Sequence, residues 1–193
     1  MTNVPQHTTF VLLAAGEGKR FPGPVHKLLA PLKGSAVVTH SVRAMVAAGG
    51  GIVITGAESS AEFLEALEGC PSVHNTDWAS GQRSSVMLAI ETARQAGSDQ
   101  VVIGLADQPF VGPDAWQAVA EADSPIAVAT YGGRRGNPVK LRRDTWDAFE
   151  TTASDPDSGA RALFTLHPEW VTEVACQGSP DDIDTHEDFA KWI

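Results

Sequence analysis

The stretch from Leu13 to Arg20 combines glycines with cations in a way that suits phosphate binding. It contains Gly16 and Gly18, and Lys27 follows seven residues after Arg20. Glycines just past a strand let the backbone approach a ligand and point its N–H groups at phosphate. Arg20 and Lys27 could neutralise a triphosphate and the pyrophosphate that develops from it. The glycines by themselves are equally consistent with a tight turn between elements.

This glycine-rich stretch matches neither of two common nucleotide-binding motifs. No Gly-Lys-Ser or Gly-Lys-Thr sequence occurs, so the stretch is not a Walker A loop. Three properly spaced glycines that lead into a helix are also missing, so it is not the dinucleotide fingerprint. An oxidoreductase built on that fingerprint is therefore not indicated.

Asp107 is a candidate metal ligand because it follows the apolar run from Gln100 to Ala106. A carboxylate at the end of a buried strand is unfavourable unless it meets a cation or hydrogen-bond donors. Mg²⁺ prefers oxygen ligands, often one or two carboxylates together with substrate phosphates. The alternative is a turn cap ahead of Pro109, which is the commoner role for a single aspartate at a strand end.

A second group of acids lies near the end of the chain, between Asp181 and Asp188. Acidic residues ahead of a helix interact favourably with its N-terminus, so a purely structural role is a strong alternative here. Thr185 and Asp188 also have the spacing of a capping pair. Asp184 becomes a metal-ligand candidate only in combination with Asp107.

Alternating strands and helices must position these residues. Strands or extended segments are predicted over 10–15, 52–56, 73–75, 100–106, 126–130 and 171–174, with a turn at 136–138 followed by a short strand ending at 141. Helices are predicted over 35–48, 61–68, 84–96, 113–123, 158–166 and 186–192. This order predicts one α/β domain over residues 1–193, with a mostly parallel sheet and helices on both faces. Ligands of such sheets bind beyond the carboxyl ends of the strands, where Gly16 and Asp107 are expected.

The composition excludes several classes of partner. A formal net charge of −10 over 193 residues argues against binding to nucleic acid or to an anionic membrane. No apolar run approaches the length of a membrane span, and Met1 to Thr9 lacks the features of a secretory signal. Cys70 and Cys176 form no zinc pattern and no disulfide framework. A reducing cytoplasm is the expected location.

Taken in order, the motifs resemble those of the MobA-like NTP transferases. They are LAAGEGKR with Lys27, NTDWASGQRSS, ADQP, GNPV, SGAR and DIDTHEDF, between about Thr9 and Trp192. The MocA-type branch, the molybdenum cofactor cytidylyltransferases, is the most similar. The resemblance implies a three-layer α/β/α, Rossmann-like nucleotidyltransferase fold and Mg²⁺-dependent transfer of NMP to a phosphorylated small molecule. CTP is the favoured donor, molybdopterin the favoured acceptor, and a molybdoenzyme or cofactor-insertion protein the implied partner.

The resemblance also assigns roles to residues that match the family motifs. The implied nucleotide site comprises Leu13, Ala14, Ala15, Gly16, Gly18, Asn75, Gly81, Ser84 and Ser85. Arg20, Lys27 and Asp107 would be catalytic, with Asp107 and Asp184 holding Mg²⁺ and Asp182 in reserve. Asn137, Pro138 and Arg161 would face the acceptor. Phe21-Pro22 stands where the family usually has methionine and glycine, and the spacing to Lys27 is longer than usual.

The choice of CTP follows from the resemblance, because relatives with Ala-Ala-Gly in the first loop tend to use CTP or UTP, while Gly-Gly versions are frequent among guanylyltransferases. The physical reason would be the methyl group of Ala15, which would occupy space that a purine needs. Two other functions remain open at this point. One is a nucleotidyltransferase for a sugar phosphate or another phosphorylated metabolite, and the other is a non-catalytic module that binds a nucleotide or cofactor. The presence of Arg20, Lys27, Asp107 and Asp184 together argues against lost catalysis. We expect Arg20 and Lys27 to be exposed in the absence of ligand.

Overall fold

The predicted α/β architecture is confirmed by a computed structural model, which describes residues 7–152, 156–157 and 159–193. The strands are β1 (Thr8–Ala14), β2 (Pro31–Leu32), β3 (Ser35–Ala36), β4 (Ile52–Thr55), β5 (Ser72–His74), β6 (Gln100–Leu105), β7 (Ile126–Tyr131), β8 (Arg134–Arg142) and β9 (Val171–Ala175). The α-helices are α1 (Val37–Gly49), α2 (Ala61–Ala66), α3 (Gln82–Gln95), α4 (Pro113–Glu121), α5 (Trp146–Thr151), α6 (Arg161–Leu166) and α7 (His186–Ala190). Short 3₁₀ turns occur at Lys27–Leu29, Trp78–Ser80, Arg143–Thr145 and Pro168–Trp170.

The central sheet has seven strands in the order β5-β4-β1-β6-β8-β7-β9. All neighbours in it are parallel except the pairs that involve β8, which runs antiparallel to β6 and β7. Leu13 of β1 is in register with Leu105 of β6, and Ala14 of β1 is in register with Thr55 of β4. Three parallel strands therefore end together at one edge of the sheet.

Both faces of this sheet are covered, because residues of β1 alternate between two hydrophobic clusters. Leu12 belongs to a cluster that also contains Val42 of α1 and Trp116 of α4. Val11 belongs to a second cluster, which contains Ile90 of α3. The period of two along a strand thus divides the apolar residues between opposite helical layers, which gives the three-layer arrangement.

The segment at 136–138 lies inside a strand, so the predicted turn there is wrong. β8 runs without a break through Gly136, Asn137 and Pro138, and its pairing register with β7 shifts between Val128 and Thr130. Such an irregularity bends a strand and redirects its side chains while pairing continues on either side. The Gly-Asn-Pro sequence has turn-forming residues, but the partner strand overrides that local preference.

Two elements had no predicted counterpart. The β2–β3 hairpin has strands of two residues each, which are too short to show periodicity. Helix α5 is a single short helix whose buried residues are Trp146 and Phe149. The helix predicted from 158 begins at Arg161, and residue 158 lies outside the described residues. Within the described parts of the chain, no helix combines the length and the apolar character needed to cross a bilayer.

Gly104 of β6 leads to a prediction about fold stability, because its missing side chain leaves room for the ring of Trp116. A Cβ atom added at Gly104 would lie 2.4 Å from Cζ2 of Trp116, whose ring is almost fully buried. Gly104→Ala should destabilise the fold by roughly 1–3 kcal/mol, since overpacking forces buried groups to move. Denaturant unfolding of Gly104→Ala, Trp116→Phe and the double variant measures this. The double variant should be less damaged than the sum of the single variants, and simple additivity would contradict the steric explanation.

Candidate active site

The glycine-rich stretch and Asp107 lie side by side because β1 and β6 are adjacent parallel strands. The Ala106 N–H donates to the Leu13 carbonyl at 3.0 Å, which continues the pairing to the ends of both strands. A Cβ atom at Gly16 would meet nothing within 4 Å, so the backbone there faces open space. Backbone amides of this stretch are therefore accessible to a ligand that lies beyond the sheet edge.

Lys27 is at the centre of the site, because its ammonium group bridges two carboxylates. Its Nζ lies 2.6 Å from Asp107 Oδ2 and 2.7 Å from Asp184 Oδ1. Burial alone would lower the pKa of Lys27, but Asp107 and Asp184 outweigh burial and raise that pKa above 10.5. Lys27 is 8% exposed, so the expectation of an exposed lysine is wrong. The expectation for Arg20 is confirmed, since its side chain is 74% exposed.

Asp184 reaches the sheet edge because the C-terminal segment is anchored beside it. Ile183 is fully buried, and its N–H donates to the Asp107 carbonyl at 2.9 Å. Arg20 donates from Nη2 to Asp184 Oδ2 at 2.8 Å, which links the glycine-rich stretch to the same carboxylate. The predicted capping pair is also confirmed, since Thr185 and Asp188 form a capping box at the start of α7. The acidic cluster thus divides its roles between a helix cap and the site.

A third carboxylate, Asp182, lies next to this pair. Gln108 Nε2 donates to Asp182 Oδ1 at 2.7 Å and to the Pro180 carbonyl at 3.0 Å. Burial raises the pKa of Asp182, and the negative charge of Asp107 raises it further. Asp182 is therefore held in place by Gln108 within a strongly negative environment.

The donor set at Asp107 fits a hard divalent cation. Asp107 Oδ1 is buried and has no hydrogen-bond partner among the described residues. A buried carboxylate oxygen without a partner is unfavourable, and a metal ion would satisfy it. In residues 7–152, 156–157 and 159–193, no three or more His, Cys, Asp or Glu side chains are grouped to hold a metal. The fit therefore depends on two carboxylates, Asp107 and Asp184, together with oxygen atoms from a ligand.

A cavity of about 360 Å³ opens between the end of β1 and the start of α3. Of the predicted nucleotide-binding residues, those that border it are Leu13, Ala15, Gly16, Gly81 and Ser85. It is also bordered by Asp107 and by residues that were not individually assigned to the nucleotide site, namely Glu17, Lys19, Trp78, Ala79, Gln82, Leu105 and Asp157. Most of these newly found residues are neighbours of predicted ones in the LAAGEGKR and NTDWASGQRSS motifs. The sequence could have indicated them, because they lie in the same motifs as the predicted nucleotide-binding residues.

Asn75 and Ser84 lie behind the wall of this cavity. Asn75 Nδ2 donates to Ser84 Oγ at 2.9 Å and to Ser85 Oγ at 3.0 Å, and its Oδ1 accepts from the Asp77 N–H. Ser84 Oγ donates to the Gly81 carbonyl at 2.9 Å. Their polar atoms hold the turn ahead of α3 in shape.

Two further residues of the predicted nucleotide site also lie off the cavity wall. Ala14 is part of the hydrophobic core, and it is 2% exposed. Gly18 packs against the ring of His26, where an added Cβ would lie 3.0 Å from Nε2. Neither residue borders the cavity, so a contact of their side-chain positions with a bound nucleotide is not indicated.

A second cavity of about 320 Å³ adjoins the first and shares Leu13, Gln82 and Leu105 with it. The rest of its wall is largely apolar and includes Val86, Ile103, Val128, Val139 and Phe164. The two cavities together form one cleft. The half near Asp107 is lined by the charged residues Glu17, Lys19, Asp107 and Asp157 and is called the polar half, and the half beyond it has more aliphatic side chains and is called the apolar half. This division suits two ligand parts of different chemistry.

The lining of the apolar half also includes polar residues at its rim, among them Asn137 and Arg161, for which a role toward the acceptor stays a prediction. Pro138 does not line it and borders a small void near Trp116 instead. In the part of the chain that the structure describes, no carboxylate pairs with Arg161. Arg135, by contrast, is paired with Glu173 at 2.7 Å. Arg161 is thus the rim arginine whose charge is available to an anionic ligand.

Comparison with known sequences identifies a family whose profile covers most of the chain. The profile of the MobA-like NTP transferase domain matches residues 10–171, a span that includes Lys27 and Asp107 but not Asp184. The purine catabolism protein PucB of Bacillus subtilis is 31% identical over 193 residues, which cover 93% of this chain and 92% of that protein. The bifunctional protein GlmU of Roseobacter denitrificans is 28% identical over 184 residues, which cover 89% of this chain. Only 39% of GlmU is covered, so the chain spans well under half of that relative.

Comparison with solved structures identifies the same fold. A nucleotidyl transferase from Methanothermobacter superposes with a TM-score of 0.81 and 26% identity, over 96% of this chain and 95% of that one. The Rv0371C protein of Mycobacterium tuberculosis, solved as a complex with manganese, superposes with a TM-score of 0.72 and 23% identity. That superposition covers 97% of this chain and 98% of the mycobacterial one. The three-layer nucleotidyltransferase fold is therefore confirmed.

The buried bridge of Lys27 generates a prediction about stability. Lys27→Met should destabilise the fold by roughly 2–4 kcal/mol, because Asp107 and Asp184 lose the cation between them. Millimolar Mg²⁺ or Mn²⁺ should raise the melting temperature of this variant more than that of the wild type, since the metal no longer competes with the ammonium group.

Arg20→Met is the matched control for this experiment, because the exposed Arg20 also contacts Asp184. Its effect on stability should stay within about 1 kcal/mol, as for other exposed ion pairs. Equal melting temperatures for Lys27→Met and the wild type would contradict the central role of the bridge. A metal response that is no larger in the variant would contradict the shared position of ammonium and metal.

Proposed function

This chain belongs to the MobA-like NTP transferase family, and from that premise we propose that it transfers a nucleoside monophosphate from an NTP to a phosphorylated small molecule. CTP is the proposed donor, and a molybdopterin-type cofactor is the proposed acceptor. The observation that carries the proposal is the bridge from Lys27 to Asp107 and Asp184 beside an open cavity. Such a concentration of cations and carboxylates suits a metal-bound triphosphate.

The proposed reaction needs no general base, because a phosphate group of the acceptor is already ionised near neutral pH. One of its oxygens attacks the α-phosphorus of the NTP and forms a new P–O bond. The bond from the α-phosphorus to the bridging oxygen of the leaving group breaks, and pyrophosphate departs with that electron pair. Arg20, Lys27 and the backbone N–H groups near Gly16 would neutralise charge and align the reacting atoms.

Asp107 and Asp184 are the residues that would hold a divalent cation, with Mg²⁺ proposed and NTP oxygens completing its coordination. The bound ion would neutralise charge on the transferred phosphate and on the leaving group. The unpartnered Asp107 Oδ1 supports this assignment. The manganese complex of the mycobacterial protein supports a divalent metal in the same fold. Asp182 is the reserve ligand, and Asp184 is preferred because it shares the ammonium group of Lys27 with Asp107.

The proposed acceptor is supported by the apolar half of the cleft. A sugar phosphate, the alternative acceptor, presents hydroxyl groups that need polar partners, whereas Val, Ile, Leu and Phe supply seven of the fifteen residues that line this half. A pterin is flat, so its ring could stack on these apolar side chains while Gln82, Asn137 and Thr165 of the same wall hydrogen-bond to its polar edge. Arg161 at the rim would bind the acceptor phosphate with charge-assisted hydrogen bonds.

Replacing Asp107 tests the reaction and its metal ligand together. Asp107→Asn should lower pyrophosphate release by about 100-fold or more, because charge stabilisation at the reacting phosphate is lost. The assay combines each of the four NTPs and Mg²⁺ with molybdopterin and with a panel of sugar phosphates. Asp147→Asn is the matched control, since the Asp147 side chain is 93% exposed and lies away from the cleft. Wild-type rates in Asp107→Asn at limiting Mg²⁺ would exclude the proposed role.

The proposed preference for CTP has its own test at Ala15. Ala15 borders the cavity, while its Cβ also packs beside Gly56 at the end of β4. Ala15→Gly should relax selectivity by raising GTP use, with a smaller effect on CTP. One methyl group against a base changes selectivity by roughly 1–3 kcal/mol. A competition assay with both nucleotides measures it, and either GTP preference in the wild type or unchanged selectivity in the variant would contradict the steric explanation.

A further inference from the structure

The ring of His26 lies between the glycine-rich stretch, which it contacts at Gly16, and the turn that carries Lys27, which it contacts at Leu28. We propose that His26 is a positioning residue, which ties the glycine-rich stretch to the turn that presents Lys27. Its ring would thereby hold the backbone near Gly16 in the conformation that receives the NTP. This inference rests on the proposed function, because it assumes that the stretch binds a nucleotide.

Each nitrogen of the His26 ring faces a different backbone segment. The Leu28 N–H donates to Nδ1 at 3.3 Å, so the side chain caps the 3₁₀ turn Lys27–Leu29. On the opposite side of the ring, Nε2 lies 3.3 Å from the Gly16 carbonyl. Gly18 lies on the same side and has a φ of +69°, and an added Cβ there would come within 3.0 Å of Nε2. The glycine-rich stretch therefore lies against the ring.

This arrangement requires one form of the imidazole. Nδ1 accepts a hydrogen bond, so it carries no proton, and the proton of the neutral ring is on Nε2. Nε2–H can then donate to the Gly16 carbonyl. A second proton on Nδ1 would place two donors against each other at Leu28. The ring would then have to turn, and the bond to Gly16 would be lost with it.

The surroundings of the ring favour the neutral form. Burial lowers the pKa of His26, and the positive charge of Lys27 lowers it further. The carboxylate of Glu58 and the carbonyl oxygens of Gly16 and Glu17 act in the opposite direction, but the pKa remains below the ordinary 6.5. The ring is therefore neutral at pH 7, and the bond to Gly16 is present under ordinary conditions.

Two substitutions separate the two bonds of the ring. In His26→Asn, the side-chain carbonyl can still accept from Leu28 but cannot reach Gly16. In His26→Gln, the terminal amide can reach the position of Nε2 and donate to Gly16, while the bond to Leu28 is lost. The probe is Mg²⁺ with each of CTP, UTP, GTP and ATP, and the measurement is isothermal titration calorimetry from pH 5 to 8.

His26→Asn should bind the preferred nucleotide about fivefold more weakly, which corresponds to the loss of one hydrogen bond. His26→Gln should stay within about twofold of the wild type, because the bond to Gly16 is rescued. Because the pKa of His26 is lowered, the wild type should lose affinity only at pH values well below the ordinary histidine value of 6.5, and His26→Gln should lack that loss. Nitrogen chemical shifts of the His26 ring should report the Nε2–H tautomer at pH 7.

The outcomes distinguish this inference from the proposed function. A wild type that binds none of the nucleotides would overturn the function, and then the ring shifts alone test the geometry around His26. A wild type that binds nucleotide while both variants bind equally well would overturn the positioning role. The opposite order, with a normal His26→Asn and a weakened His26→Gln, would also overturn it, since capping of the Lys27 turn would then be the only role of the ring.

Discussion

The structure of this site depends on neutralising acids at the end of a buried sheet. Asp107 follows the central strand β6, and packing brings Asp184 and Asp182 next to it. Neighbouring carboxylates repel one another strongly where water is partly excluded. The ammonium group of Lys27 reaches both Asp107 and Asp184, and thereby allows the three acids to remain together. The ammonium group thus lies between the two carboxylates that would hold the proposed metal ion.

Two segments that are distant in sequence converge on that bridge. The glycine-rich stretch contributes Arg20, while the C-terminal segment contributes Asp184 through the buried Ile183. Phe21 packs against His186 with ring centroids 4.0 Å apart and the ring planes tilted by 41°, and His186 Nε2 lies 2.6 Å from the Pro22 carbonyl. These contacts give a physical role to the unusual Phe-Pro pair, because they fasten the stretch directly to the end of the chain.

The cleft beside the bridge has a shape that follows from the strand order. β8 is the antiparallel strand between β6 and β7, and its pairing with β7 is irregular near Asn137. The apolar cavity begins at that point, and it meets the polar cavity at Leu13, Gln82 and Leu105. A donor and an acceptor could thus approach each other from opposite halves, with Asp107 at the polar end.

The sequence by itself determined the alternating architecture, the strand ends at Gly16 and Asp107, and the capping box at Thr185, because each depends on local periodicity or short spacing. It also identified the family, since motifs are local. Tertiary structure decided the rest. Lys27 is buried only because packing brings Asp107 and Asp184 around it, and Asn75 faces Ser84 only because α3 begins beside β5. The contacts of Lys27 with Asp107 and Asp184 span 80 and 157 residues of sequence, so they depend on how the helices and strands pack and cannot be predicted from a local pattern.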